Sequence, residues 1–405
     1  MSIYLARQPI FDCNQNVVAY ELLHRSSEIN RYTAADGDRA TSELIANVFL
    51  NMGLENITRG KKAFINFTKQ LLASDTVLLL PKELVTIEIL EDIEPDEEVI
   101  AACKRLRESG YSLALDDYTG NEDSGYRALL DLSEVVKVDL HKMELSNQAQ
   151  VEAIIKNKKN TFLAEKVETI DDFNKAKTVG FSLFQGFFFC KPVMLSGKSI
   201  SASQQRTINL LQEIYRPEVD FDRIEALIKE DLTLSYKLLR CINSLVYAIR
   251  MPVKSIRQAI ALLGQKELIK WASLACLHTV SEHKPDELMV TALCRARFCE
   301  AIAISAGMNE QSSEYFMTGL FSLLDTFFDR PMEDVLAELP LDKEVEETLL
   351  GRAGKYKSAL EIVLFYENGD FNKAYVLAAS EYGLDREKLA FCYFDAIKLA
   401  DTPWT

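Results

Sequence analysis

Residues 84–117 read LVTIEILEDIEPDEEVIAACKRLRESGYSLALDD. Two short apolar runs, LVTIEIL and SLALDD, bracket the amphipathic stretch EEVIAACKRLRESG, which ends in Gly, a helix stop. Strand, helix, strand in that order predicts parallel pairing, because the crossover helix returns the chain to the same edge. The pattern continues outward in both directions. IYLARQPI (3–10), VVAYELL (17–23), KAFINF (62–67), VVKVDL (135–140), TFLAE (161–165) and FSLFQG (181–186) read as further strands, with ATSELIANVFLNMG (40–53) and IDDFNKAKTVG (170–180) as helices between them. So many units in under 200 residues predict a closed barrel. Only a tight DCNQN turn separates the first two strands, which predicts an antiparallel start. The expected fold is therefore an α/β TIM-like (β/α) barrel with an antiparallel first strand.

Beyond the Ser- and Gly-containing stretch LSGKSISASQQ (195–205), read as a linker, the periodicity is helical. FDRIEALIKE, LSYKLLRCINSLV, SIRQAIALLG, KELIKWASLACLHTV, ELMVTALCRARFCEAIAISAG and SSEYFMTGLFSLLDTFF all space apolar residues three and four apart. This predicts two domains, 1–198 and 199–405, the second all-α.

The chain has 405 residues, with 46 Lys and Arg against 61 Asp and Glu, a net charge of −15. That balance disfavours DNA or an anionic membrane as partner, while leaving room for a small anion at a locally reversed field. No run approaches the roughly 20 apolar residues of a membrane span, and no secretory signal is visible at the start. Eight cysteines without a CxxC pair read as reduced thiols, which points to a cytoplasmic location.

The strands of the first half carry polar residues near their carboxyl ends: Glu21, Asn66, Glu88, Asp116, Asp117, Lys137, Asp139, Glu165 and Gln185. In a barrel those ends share one mouth. Several carboxylates meeting there repel one another and are costly to desolvate, unless a hard divalent cation is present, and all-oxygen ligands suit Mg²⁺ or Mn²⁺. Two such ions suit attack of water on phosphorus, with Lys137 as a donor to the water or to a phosphoryl oxygen. Singly, each residue also reads as a cap or turn former, and a mouth that only binds is a second alternative.

At these residues the first half resembles the EAL family of cyclic-di-GMP phosphodiesterases, from Gln8-Pro9-Ile10 to Lys191-Pro192. Glu21-Leu22-Leu23 stands where the family has Glu-Ala-Leu, followed by Arg25. The resemblance implies that Glu21, Asn66, Glu88 and Asp116 hold one metal, and that Asp116, Asp117 and Glu165 surround the second metal or its water. It implies that Lys137 orients the nucleophile, Gln185 completes the site and Arg25 meets a ligand phosphate. Glu91, Glu168 and Asp139 would support the site and its loop. Three features depart from the family. Loop 118–125 reads Tyr118-Thr119-Gly120-Asn121-Glu122-Asp123-Ser124-Gly125, Ser26 replaces an aromatic residue, and Gln185-Gly186-Phe187 ends in Phe, which keeps a π face for guanine.

The second half resembles the HDOD domain through Asp231, Ser235-Tyr236-Lys237-Leu238-Leu239, Ile242-Asn243-Ser244 and Gln258-Ala259-Ile260-Ala261-Leu262-Leu263-Gly264. The metal-binding His-Asp of the related HD enzymes is replaced by Ser322-Leu323-Leu324-Asp325, and no histidine follows His283. Together the halves resemble the EAL–HDOD (YuxH-like) family. That implies hydrolysis of cyclic-di-GMP to pGpG by a two-metal, metal-hydroxide mechanism with Mg²⁺ or Mn²⁺, a homodimer, and a regulatory or partner-binding HDOD domain. A catalytically inactive receptor or signalling scaffold is the alternative, motivated by loop 118–125.

Overall fold

The computed structural model describes residues 4–25, 53–120, 123–145, 155, 159–191, 202–216, 218–243, 253–281 and 284–400. Eight strands close into a barrel in sequence order: β1 Tyr4–Asp12, β2 Val17–Arg25, β3 Lys62–Phe67, β4 Val85–Ile89, β5 Ser112–Leu115, β6 Val135–Asp139, β7 Thr161–Glu165 and β8 Leu183–Gln185. β1 runs antiparallel to both β2 and β8, and the remaining neighbours are parallel. The hairpin turns where Asp12 Oδ1 accepts from the backbone amides of Asn14 (2.8 Å) and Asn16 (2.9 Å), a local side-chain turn that competes with continuing the strand.

Helices α1 Leu54–Thr58, α2 Lys69–Ala73, α3 Glu97–Glu108, α4 Ser124–Leu132, α5 Leu140–Leu145 and α6 Ile170–Val179 connect the strands. α3 is amphipathic and buries Val99, Ala102, Cys103 and Leu106, and Asp96 caps it by accepting from Val99 N at 3.0 Å. α6 starts with a capping box between Thr169 and Asp172 and stops at Gly180, with φ 120°. The helix expected over 40–53 lies outside the described residues, apart from Gly53.

Inside the barrel Ile10, Ala19, Phe64, Ala114 and Leu163 form one apolar layer, with Val135 and Leu183 packed against it. Side chains two positions apart on a strand point to the same face. The next inward position above this layer is therefore Glu21, Asn66, Asp116, Lys137, Glu165 or Gln185, strand by strand. Thr86, beneath Glu88, continues the lower layer on β4. The polar mouth rests on an apolar floor.

The second half is helical as predicted: α7 Ala202–Ile214, α8 Phe221–Glu230, α9 Leu232–Ile242, α10 Ile256–Val280, α11 Asp286–Ser305, α12 Ser312–Phe321 and α13 Leu324–Phe328, followed by further helices to Ala400. Two details differ from the periodicity, at Ala202 and at Ser322 and Leu323, and one agrees with it, at Gly264. α7 begins at Ala202, inside the stretch read as a linker. The separation expected between the runs 255–264 and 266–280 is kept, as a kink at Gly264, whose φ of 71° a helix does not accept. SSEYFMTGLFSLLDTFF breaks at Ser322 and Leu323. Residues 1–191 cluster with 364–379 and 385–391 as one compact unit, and 192–363 with 380–384 and 392–405 as the other. No helix among the described residues is long and apolar enough to cross a membrane, and all eight cysteines are free thiols.

Candidate active site

The ammonium of Lys137, buried on β6, is the centre of the mouth. It lies 3.2 Å from Glu21 Oε2, 3.0 Å from Asp116 Oδ1 and 2.9 Å from Glu165 Oε1, and it hydrogen-bonds Glu88 Oε1. Four carboxylates from β2, β4, the end of β5 and β7 thus converge on one nitrogen. An ammonium has three protons, so one acid goes without. Asp116 Oδ1 has no hydrogen bond, and its attraction to Lys137 is coulombic.

Gln185 on β8 donates to Glu21 Oε2 at 2.6 Å and to Gln8 Oε1 at 2.9 Å. Asn66 Nδ2 reaches Glu21 Oε1 at 3.5 Å, and Asn66 pairs in register with Glu88 across β3 and β4. Asp116 and Asp117 are pinned by Asp116 N to Ile89 O (2.9 Å) and Tyr118 N to Lys137 O (2.9 Å). Asp117 sits at φ 45° and Lys166 at φ 55°. Left-handed backbone at non-glycine residues carries strain that surrounding structure must hold, and it concentrates at functional sites.

The electrostatics follow from one ammonium facing four acids. Burial pushes the Glu88 carboxyl well above the usual carboxylate range, with Glu21 adding to the rise and Lys137 opposing it. Burial likewise pushes Glu165 up to about 7. Burial would lower Lys137, but Glu165, Glu21, Glu88 and Asp116 outweigh it and hold the ammonium well above the ordinary lysine value. The cluster calls for more positive charge than Lys137 supplies.

Divalent cations fit that demand through the donor set. Glu88 Oε2, Asp116 Oδ1, Asp117 Oδ1 and Gln185 Oε1 are buried acceptor oxygens without a hydrogen bond, which is costly unless a cation or water meets them. Among the described residues no three carboxylate, imidazole or thiol groups are spaced to hold a metal ion as they stand. The oxygens surround Lys137 Nζ at about 3 Å, where Mg²⁺ needs about 2.1 Å. The acids would have to draw in on an ion held beside the buried ammonium.

The supporting residues stand further out. Asp139 Oδ1 caps α5 by accepting from His141 N (2.9 Å) and Lys142 N (3.3 Å), and its Oδ2 takes Lys166 Nζ at 2.6 Å. Glu168 lies on the lip, paired with Lys191 at 3.1 Å and 3.8 Å from His141 Nε2. Glu91 is exposed beyond β4, and Phe187 is half-buried beyond β8. Arg25 ends β2, but its side chain is outside the described residues, as are Ser26, Asn121, Glu122 and His283.

Three participants went unnoticed in the sequence. Gln8 faces Glu21 across the hairpin, so the short turn could have revealed it. Lys142, on α5, hydrogen-bonds Asp117 Oδ2, and Lys166 pairs with Asp139. Neither has a sequence signal, because ordinary lip lysines look the same.

In the helical unit the motif residues serve the fold. Asp231 caps α9 through Thr233 N (2.8 Å) and Leu234 N (3.1 Å), Ser235 Oγ donates to Ile228 O (2.8 Å), and Asn243 exchanges bonds with the Val253 backbone (2.7 and 2.9 Å). In the stretch 322–325, Ser322 Oγ accepts from Arg295 Nη1 at 3.2 Å, and Asp325 accepts from Thr326 N at 2.8 Å.

A family model described as EAL domain matches residues 2–192, and one described as HDOD domain matches 202–337. The chain is 37% identical over 407 residues to the protein YuxH of Bacillus subtilis (strain 168), covering 98% of both chains. It is 35% identical over 371 residues to the cyclic di-GMP phosphodiesterase CdgJ of Vibrio cholerae serotype O1, covering 91% of this chain and 85% of that one. Among solved structures, a calcium and cyclic-di-GMP complex of Klebsiella pneumoniae BlrP1 is 26% identical over 47% of this chain and 55% of its own, with a TM-score of 0.38.

Proposed function

The chain belongs to the family that joins an EAL domain to an HDOD domain, and from that premise we propose that its barrel is a phosphodiesterase opening cyclic-di-GMP to linear pGpG. A relative sharing 35% of its residues over 91% of this chain bears that activity in its name. The observation that carries the reading is the single inward layer of Glu21, Asn66, Glu88, Asp116, Lys137, Glu165 and Gln185, with buried oxygens that lack hydrogen bonds.

Glu21, Asn66, Glu88 and Asp116 would hold one divalent cation, and Asp116 and Asp117 the other, with Glu165 beside its water. Mg²⁺ or Mn²⁺, when bound, would acidify water and neutralise phosphate oxygens. Gln185 fixes the Glu21 carboxylate, and Gln8 fixes Gln185. Glu165, whose Oε1 lies 2.9 Å from Lys137 Nζ, is placed to accept the proton of the attacking water. Lys137 keeps its charge and is placed to orient that water and to offset charge on the phosphoryl oxygens. As the water oxygen bonds to phosphorus, one ester P–O bond breaks, the leaving ribose oxygen takes up a proton in place of the one lost by the water, and the ring opens. The helical unit would regulate the barrel or dock a partner.

Full-length protein with cyclic-di-GMP and Mn²⁺ or Mg²⁺, followed by chromatography, tests this. The expected product is pGpG, lost in Glu21→Ala with an unchanged circular dichroism spectrum. Tight binding without product would replace the enzyme by a receptor, the reading that loop 118–125 favours. A melting temperature unmoved by saturating nucleotide would sink both, since a ligand of the native state must stabilise it.

A further inference from the structure

Lys142 and Lys137 both serve acids of the mouth, but they are built differently. Lys137 is 1% exposed, whereas the Lys142 side chain is 52% exposed on the lip and reaches inward to hydrogen-bond Asp117 Oδ2. The backbone of Lys142 is held by Asp139, which accepts from its amide and is itself tied to Lys166. Its long stem leaves the ammonium a path to water. Asp117 has no such freedom. Its peptide is pinned between β4 and β6 with φ 45°, its side chain is 14% exposed, and Oδ1 is buried without a hydrogen bond.

We propose that Lys142 is an internal competitor of the divalent cation for Asp117, and so tunes the affinity of the mouth for metal. This deepens the metal reading above and rests on it. An ammonium on Oδ2 and a divalent ion drawing on the same carboxylate both claim its charge, so loading one weakens the other. Lys142 can yield cheaply because its nitrogen rehydrates at the surface. Lys137 has no comparable exit, so the adjustable cation is the outer one. Metal uptake thereby acquires a threshold set by a residue outside the ligand shell.

Calorimetric titration of full-length protein with MnCl₂ at fixed ionic strength tests this on the parent, Lys142→Met and Lys191→Met. Lys191 is a control on the same lip, 48% exposed and paired with Glu168 rather than with a mouth acid. Lys142→Met is expected to bind Mn²⁺ about fivefold tighter, the equivalent of one partly exposed ion pair, while Lys191→Met stays within about twofold of the parent. In EDTA, Lys142→Met should melt slightly below the parent, and Mn²⁺ should raise its melting temperature by more. Unchanged or weaker binding in Lys142→Met overturns the proposal. Equal tightening in both variants also overturns it, because loss of charge anywhere on the lip would then suffice. A parent that takes up no Mn²⁺ brings down the metal reading itself, and the competition with it.

Discussion

A single ammonium, Lys137 Nζ, balances four acids in a space that water barely reaches. Removing it leaves buried carboxylates without their counter-charge. Breaking a buried pair costs on the order of 3 kcal/mol, less whatever protonation recovers. Lys137→Met should therefore melt well below the parent in EDTA and regain much of that loss with Mn²⁺ while hydrolysing nothing. Full turnover in this variant would remove Lys137 from the mechanism. Glu165 sets a pH signature. Its folded value near 7 lies above the ordinary 4.5, so the folded state favours the protonated acid. That contribution is complete below about pH 4.5 and is lost as pH rises through about 7. Melting of the parent in EDTA should fall across that window, and Glu165→Gln should flatten the fall. Mn²⁺ affinity should move the opposite way, rising with pH, because metal and proton compete for the same oxygens.

The turn leaving β8 is as constrained as the site residues. Gly186 has φ 147°, and a Cβ there would lie 2.1 Å from Val167 O. This close approach carries the bonds Val167 N to Gln185 O (3.0 Å) and Phe188 N to Val167 O (3.1 Å), which fix Gln185 over Glu21. Gly186→Ala should lower stability by about 1–3 kcal/mol, as overpacking does, and should reduce kcat through misplaced Gln185. Denaturant melting with matched kinetics checks both; a wild-type kcat would show that this turn does not position Gln185. Strands were legible because their period of two is local: the expected KAFINF and TFLAE match β3 and β7 residue for residue. Helix breaks were less so. The break at Gly264 was legible, because the run 255–264 ends there, but Ser322 interrupts a run whose apolar spacing continues past it, and spacing records which face is buried, not where the axis bends.

The net charge of −15 acts on anything that approaches. It draws divalent cations in and repels a phosphodiester anion, and both effects weaken with salt. Raising KCl should weaken Mn²⁺ binding and speed nucleotide association in stopped-flow measurements. Slower association would mean that local cations such as Lys142 and Lys166 dominate the approach.

The order of runs along the chain already implied a barrel with an antiparallel start, a helical second half and a mouth lined by Glu21, Asn66, Glu88, Asp116, Lys137, Glu165 and Gln185. Those properties follow from strand alternation and from the common direction of parallel strands, which any reader of the residues can count. Barrel closure decided the rest. It set β1 against β8, and so Gln8 beside Gln185. It gathered four acids around one nitrogen, raising Glu88 and Glu165, and it brought Lys142 and Lys166 to acids on neighbouring strands. Distance and burial govern charge interactions, and neither is written in the spacing of residues along a chain.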